Sequence, residues 1–421
     1  MKQRVVFLLG AGASKDADLP LASELTGVII DDLNSDSGRR RGTEQLHEVM
    51  NYVVGNMIGH RGRSGISPDI MPDIESVVSA VELLNNRNDI ELNSFIQNWD
   101  PSIDLLDRQS SWNPGWENDL RAGLLGTNPE DPAKLETGLK GFVEENYKLG
   151  ISTPRYSQLM AELLHQLKRQ LELRHSPKVK YLNPLVQLGR HSKVTIATIN
   201  YDLTIETAAK ARGIQVSRGI DHWNDEWRLQ WGDQGVQLIK LHGSIDWGRK
   251  LRDHSATRGP RLRGDFIIKE MLDPSNDKME PFVVFGKREK LRPEGPFSEL
   301  RSDFMNELKS ASHLVIIGYS FGDNHINELI RKWMNTDLKR KLVIVDPNFS
   351  MGYSSTYSSF KLAIIQQFLL PSRSPSAKPE ETRVLLIRKT AKDAIPDLCL
   401  GHDHLNMLFL DSASIESNLE K

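Results

Sequence analysis

The sequence holds a single cysteine, Cys399, in 421 residues. One thiol can form neither an internal disulfide nor a four-cysteine zinc site. No apolar run approaches the roughly 18 to 20 residues of a membrane-spanning helix, so a helical membrane protein is excluded. A charge surplus is also missing. With 54 Lys and Arg against 56 Asp and Glu, the net charge of −2 gives no global basic field for nucleic acid, and only a local patch could serve. The opening MKQRVVFLLGAGAS lacks the long apolar segment and small-residue cleavage site of a signal peptide, so the expected location is the cytoplasm. No internal repeat or heptad array is visible. What is present is ordinary for a globular chain, 38% hydrophobic and 26% charged residues, which excludes wholesale disorder. The length calls for two domains or one domain with large insertions.

Short continuous apolar runs mark buried parallel strands. They occur as VVFLL at 5–9, VTIATI at 194–199, QLIKL at 237–241, HLVIIG at 313–318 and KLVIV at 341–345, several followed by helix-compatible stretches. The expected class is α/β with a Rossmann-like parallel sheet and crossover helices. Between the first two runs almost no strand signal occurs. Instead, Ile74, Val77, Val78, Val81 and Leu84 recur at helical spacing, as do Met160, Leu163, Leu164, Leu167 and Leu171. Residues 33–180 are therefore expected to form a mostly helical insertion within a domain spanning 1–350, with 351–421 as a C-terminal extension. The extension holds a Pro- and Ser-containing tract at 371–382 and a strand-like VLLIR at 384–388. Residues 249–264, RKLRDHSATRGPRLRG, read as an exposed basic loop, either a solvated surface or a contact for phosphate or an acidic partner.

The chemistry-bearing residues cluster where strands end. Gly10-Ala11-Gly12-Ala13-Ser14 follows the first strand. Small residues there can let backbone N–H groups approach a pyrophosphate at a helix start, or can serve tight packing alone. The second strand runs into Asn200-Tyr201-Asp202, placing a carboxamide and a carboxylate at the edge where open α/β sheets bind ligands. Asn200 can position a ribose hydroxyl or water, or the pair can fix the turn and cap the next helix. His242, in Leu241-His242-Gly243-Ser244, is a plausible general base, although most of the 12 histidines must be structural or exposed. Gly318 and Ser320 close a further strand, with Asp323 as a helix N-cap, and Asp346 ends the next one, where it can meet ribose or adenine or make a turn.

In this order the motifs GAGAS, TINYD, KLHGS, GYSF and VDPN resemble the NAD-binding fold of the Sir2, or sirtuin, family. More narrowly, the sequence resembles bacterial Sir2-like antiviral defence proteins, whose Sir2 domains hydrolyse NAD and often work with an ATPase, helicase or Argonaute-type partner. The resemblance covers 1 to about 350, with the insertion matched only loosely, for instance at Asp73-Ile74-Glu75. It implies that Gly10, Ala11, Gly12, Ala13 and Ser14 cradle the phosphates, that Asn200 and Asp202 contact the nicotinamide ribose and water, and that His242 is catalytic. Gly318 and Ser320 would line the phosphate and adenosine side, with Asp346 near the adenosine. It further implies NAD as substrate with no metal, a homo-oligomer, and a HerA-type ATPase or other defence partner through which nucleic acid could be met. The departures from deacetylases are specific. Sirtuin deacetylases carry two CxxC pairs holding zinc, and an Asp-Phe-Arg following the Gly-Ile-Pro that trails the glycine motif. Here the zinc ribbon is missing, and Asp18-Leu19-Pro20 is followed by Leu21-Ala22-Ser23. The expected activity is NAD glycohydrolysis. The alternatives are a noncatalytic NAD or ADP-ribose sensor scaffolding a nucleic-acid-remodelling ATPase, and protein deacetylation or ADP-ribosylation.

Overall fold

A computed structural model describes residues 4–35, 45–67, 69–87, 101–107, 154–173, 175–220, 223, 228–251, 266–270, 281–286, 295–349, 359–364, 366, 383–401 and 403–409. The chain forms two compact units, Thr26–Leu164 and the remainder, Met1–Leu25 with His165–Lys421. The insertion expected at roughly 33 to 180 overlaps the smaller unit.

The larger unit is built on a parallel sheet of β1 (Val5–Leu9), β2 (Val194–Thr198), β3 (Val216–Ser217), β4 (Val236–Lys240), β8 (His313–Ile317), β9 (Lys341–Val345) and β10 (Val384–Ile387), in the order β10-β9-β8-β1-β2-β4-β3. Its strands are apolar on both faces because both faces are covered. Val6, Leu8, Ala197, Ile239, Leu314, Ile316, Leu342 and Ile344 pack into one buried cluster with Phe304 and Leu308 of the helix Phe297–Ser310 and Ile330 and Trp333 of the helix Asn324–Thr336. The alternate residues Phe7, Leu9, Ile196, Leu238, Val315, Ile317, Val343 and Val345 enter a second cluster. That cluster is closed by Ile205 and Ala208 of the helix Thr204–Ala211 and by Ala394 and Ile395 of the helix Ala391–Leu398. The side-chain period of two sends successive residues to opposite faces.

Three findings correct the sequence reading. First, β10 pairs in register with β9, Val384 opposite Leu342, so residues 384–387 complete the sheet and do not belong to a separate extension after 350. Second, a three-stranded antiparallel sheet follows β4, with β5 (Gly243–Leu251) between β6 (Phe266–Glu270) and β7 (Pro281–Val283). Residues 249–251 of the expected basic loop are thus strand, and the rest of that stretch lies outside the described residues. Third, β3 is only two residues long, too short for any pattern to announce it.

The unit Thr26–Leu164 is helical where described. Its helix Ile74–Asn85 buries Ile74, Val77, Val78 and Val81, as the spacing requires, and Asp73 caps it by accepting from the Ser76 N–H at 2.9 Å. In the helix Arg155–Leu171 the buried row is Tyr156, Leu159, Leu163, Leu167 and Leu171, with Met160 and Leu164 half-buried beside it.

Gly318, at φ +64°, is packed so tightly that a Cβ would collide with Ala13 N and the Gly12 carbonyl carbon. Gly318→Ala is expected to lower stability by about 2 kcal/mol or more, read from the urea midpoint with an unchanged slope. Burial pushes the Cys399 thiol up to about 12. At pH 8 iodoacetamide should alkylate the native protein at least about a hundredfold more slowly than the urea-unfolded chain.

Candidate active site

Because the seven strands are parallel, their carboxyl ends share one edge, which carries all five strand-end motifs. From β1 the chain proceeds to β2 on one side, and from β8 to β9 on the other. The boundary between β1 and β8 is therefore the topological switch point, where open α/β sheets form a crevice.

The turn after β1 is locked to the turn after β8. Gly10 N–H donates to Ile317 O, Gly12 N–H to Gly318 O and Ala13 N–H to Gly10 O, each at 2.9 Å. A Cβ on Gly10 would lie 2.6 Å from Gly318 O, and one on Gly12 would lie 2.8 Å from Gly318 Cα. The expectation that the whole turn offers its N–H groups to phosphate is accordingly narrowed, since these three donors are spent within the chain. The short 3₁₀ helix Ala11–Ala17 then presents Ser14 to the interior.

Ser14 organises the turn after β2. Its Oγ donates to Asp202 Oδ2 at 2.7 Å and accepts from Asn200 Nδ2 at 3.1 Å, while the same Nδ2 donates to Gly10 O at 2.9 Å. A carbonyl oxygen only accepts, so the Asn200 amide nitrogen must face Gly10. Asn200 Oδ1, which takes no hydrogen bond from the described residues, is left as an acceptor at the sheet edge. Asp202 is occupied otherwise. Its Oδ1 accepts from Thr204 N–H at 3.0 Å and from Thr204 Oγ at 2.6 Å, opening the helix Thr204–Ala211, so the capping role is realised in a nearly buried carboxylate.

His242 stands beside this turn in register, for the last β2–β4 pair is Thr198 with Lys240, and Asn200 and His242 each lie two residues beyond it. The residue is 5% exposed, its carbonyl accepts from Val284 N–H at 2.9 Å, and its ring is tilted against Tyr201 at 6.3 Å between centroids. Tyr201 is itself pinned by its hydroxyl to Val284 O at 2.9 Å. His242 Nε2 lies 2.9 Å from Asp323 Oδ2, at ion-pair distance, with the ring N–H off the direct line to the oxygen. Nδ1 is buried with no partner among the described residues.

The remaining expected residues are placed less tightly. Ser320 is exposed on the turn after β8, next to the buried Phe321, whose φ of +62° is rare outside glycine. Asp346 Oδ1 accepts from Asn348 N–H at 2.9 Å, which makes a turn after β9, and the carboxylate is only half-buried.

Five residues under the site escaped the sequence reading. Lys240 is wholly buried; its Nζ donates to Asp202 O and reaches Glu206 Oε1 at 3.0 Å. Burial raises the Glu206 carboxyl, with Asp246 adding to the rise and Lys240 opposing it. Asp246 pairs with Arg218 at 2.5 Å; burial alone would raise its carboxyl, but Arg218, Lys240 and Ser244 together hold it below the ordinary value. Tyr181 donates to Ala13 O at 2.5 Å, and burial raises its phenol. A lysine two residues before the histidine, alternating toward the same face, was the available signal for the first.

Residues 194–359 match the family model described as the SIR2-like domain. That segment holds Asn200, Asp202, His242, Gly318, Ser320 and Asp346 but leaves out the first glycine turn. A search of curated proteins finds no match. Among solved structures, a Sir2 homologue mutant in complex with 2′-O-acetyl ADP-ribose is similar at 11% identity and a TM-score of 0.39, covering 94% of this chain and 90% of that one. A Sir2 homologue–NAD complex is similar at 12% identity and a TM-score of 0.39, covering 96% and 90%. Among the described residues no group of three or more His, Cys, Asp or Glu side chains could hold a metal ion, and no helix is long and apolar enough to cross a membrane.

Ser14→Ala deletes both the donor to Asp202 and the acceptor for Asn200. It is expected to destabilise the fold by about 1 to 3 kcal/mol, measured by urea denaturation.

Proposed function

We propose that the protein hydrolyses the N-glycosidic bond of NAD, giving nicotinamide and ADP-ribose. The observation that carries this reading is the juxtaposition of His242 and Asn200 at equivalent positions past the paired strands β2 and β4, one with a buried ring nitrogen that has no partner among the described residues and the other with an oriented amide oxygen. The SIR2-like match over both residues supports it.

The chemistry asks little of the protein beyond placement and electrostatics. Nicotinamide is a cationic leaving group in NAD. When the C1′–N bond breaks, its electron pair departs with a neutral nicotinamide and leaves an oxocarbenium-like ribose. An acceptor oxygen fixed in place, Asn200 Oδ1, holds a ribose hydroxyl or the incoming water at no cost of reorganisation during the reaction. Water then bonds to C1′, and His242 Nδ1 accepts the proton released from it or from a ribose hydroxyl. The sum is NAD plus water to nicotinamide, ADP-ribose and a proton. Ser14 and Asp202 position Asn200. Asp346 and Ser320 are assigned to the adenosine and phosphate side, and Gly10, Ala11, Gly12, Ala13 and Gly318 to the wall of the crevice.

Free-running NAD consumption would be lethal to the cell that makes it. In this reading the protein is the NAD-depleting effector of an antiviral defence system, held in check by homo-oligomerisation or by a HerA-type ATPase or similar partner. The helical unit is the proposed place for that gate.

Nicotinamide release from NAD is the test, by the protein alone and with a candidate ATPase and nucleic acid. His242→Ala and Asn200→Ala should each reduce the rate by about a hundredfold or more. NAD binding without release under every condition would point to a sensor instead, and release that requires an acylated peptide would point to deacetylation.

A further inference from the structure

Asp323 does two jobs at once. As N-cap of the helix Asn324–Thr336, its Oδ1 accepts from His325 N–H at 2.9 Å and Ile326 N–H at 3.3 Å. Capping needs only that one oxygen, and Ser, Thr or Asn would serve. The other oxygen, Oδ2, lies 2.9 Å from His242 Nε2, with the aspartate side chain 2% and the histidine side chain 6% exposed. The pairing is not imposed by the sheet. Asp323 follows β8 and His242 follows β4, and β1 and β2 lie between those strands, so the contact spans the loops of the crevice.

The Asp323 backbone is also held more firmly than a cap requires. Tyr319 Oη donates to Asn327 Oδ1 at 2.9 Å and lies 3.0 Å from Asp323 O, while Asp323 N–H donates to Tyr319 Oη at 3.1 Å. Asn327 Nδ2 in turn donates to the carbonyl of Phe321, the residue at positive φ. A turn with an unfavourable backbone is thus fastened at several points, and the result is a buried carboxyl group set against one nitrogen of the imidazole.

From this geometry we infer that Asp323 is the positioning residue for His242, fixing its ring and its tautomer. This inference rests on the reading of His242 as the catalytic base. A carboxylate at Nε2 keeps the proton on that nitrogen and leaves the lone pair on Nδ1, the atom without a partner among the described residues. It also stabilises the imidazolium formed when Nδ1 takes up a proton, as carboxylates do for catalytic histidines elsewhere. Imperfect alignment of the N–H in a ligand-free site is normal, because such bonds tighten with substrate bound.

Asp323→Asn separates the two jobs. The amide oxygen preserves the cap, so the melting temperature should stay within a few degrees. The amide NH₂ set against Nε2 then favours the lone pair there, moving the proton to Nδ1. The expected result is a loss of about a hundredfold or more in kcat with KM changed less than about threefold. On the His242→Ala background the same substitution should cause no further loss, since residues acting as a unit are not additive. Independent, multiplying losses would overturn the inference.

A second readout does not depend on activity. In ¹⁵N-labelled protein, with the His242 resonances assigned by their absence from His242→Ala, the wild type should show the Nε2–H tautomer and Asp323→Asn should shift toward Nδ1–H. An unchanged tautomer would overturn the role of Asp323. A wild type that never cleaves NAD yet shows the tautomer shift would instead remove the proposed reaction while keeping the pair.

Discussion

The contact on which the site depends is backbone against backbone. Gly10 and Gly12 after β1 meet Gly318 after β8 at separations that leave no room for a side chain on any of them. This closure at the topological switch point draws two neighbouring turns together and sets the path of both chains leaving the sheet. The path after β1 brings Ser14 under the β2 turn, and the path after β8 carries Tyr319, Phe321 and Asp323 toward His242. A glycine motif of a kind that binds anions elsewhere here has a prior duty, which is to let the crevice form.

The two ends of the sheet treat charge differently. At the amino end, Arg4 and Lys193 meet Glu307 at 2.5 and 3.6 Å, beside Thr195 and Gln237, in partly exposed pairs that screening makes weak contributors. At the carboxyl edge the charges are buried and individually costly. Lys240 is wholly buried beneath the site with Glu206, Asp246 and Arg218 mostly covered around it, and the Asp202 and Asp323 carboxyl groups are buried on either side. Burying ions is poor strategy for stability alone, since well-packed apolar groups of the same size often do as well or better. Concentrating that cost at the edge where the strand-end motifs converge is what a preorganised polar site requires.

The sheet was legible because parallel strands buried on both faces write themselves as continuous apolar runs. VVFLL, VTIATI, QLIKL, HLVIIG and KLVIV each match an observed strand within a residue. Even VLLIR is a strand, though only the pairing of Val384 with Leu342 reveals that it belongs to the same sheet. The antiparallel strands β5, β6 and β7 were not legible, because β5 begins in the glycine of a turn motif and β6 follows a basic, glycine-containing stretch that reads as loop. Helix caps at Asp73 and Asp323 were readable from local chemistry. The partner of a cap's second oxygen was not, because His242 is distant in sequence and no periodicity relates the two loops. The same limit hid the hydrogen bond that turns Asn200 and the buried lysine beneath Asp202.

Asn200 and His242 have in common that each is oriented by something other than the substrate. The amide is turned by a backbone carbonyl and a serine, and the imidazole stands between an aromatic ring and a carboxylate. Each presents one polar atom without a partner among the described residues, an acceptor oxygen and a ring nitrogen, and spends the other on the scaffold. A purely structural buried polar residue normally satisfies all of its capacity within the protein. Leaving the buried His242 Nδ1 unmet by the described residues costs stability, and that cost is intelligible where a polar ligand completes the set. The same reasoning sets Asp202 apart from them, because Thr204 and Ser14 engage both of its oxygens. Both of its oxygens are thus spent on the scaffold, and the carboxylate offers neither of them to a ligand without first breaking one of these bonds.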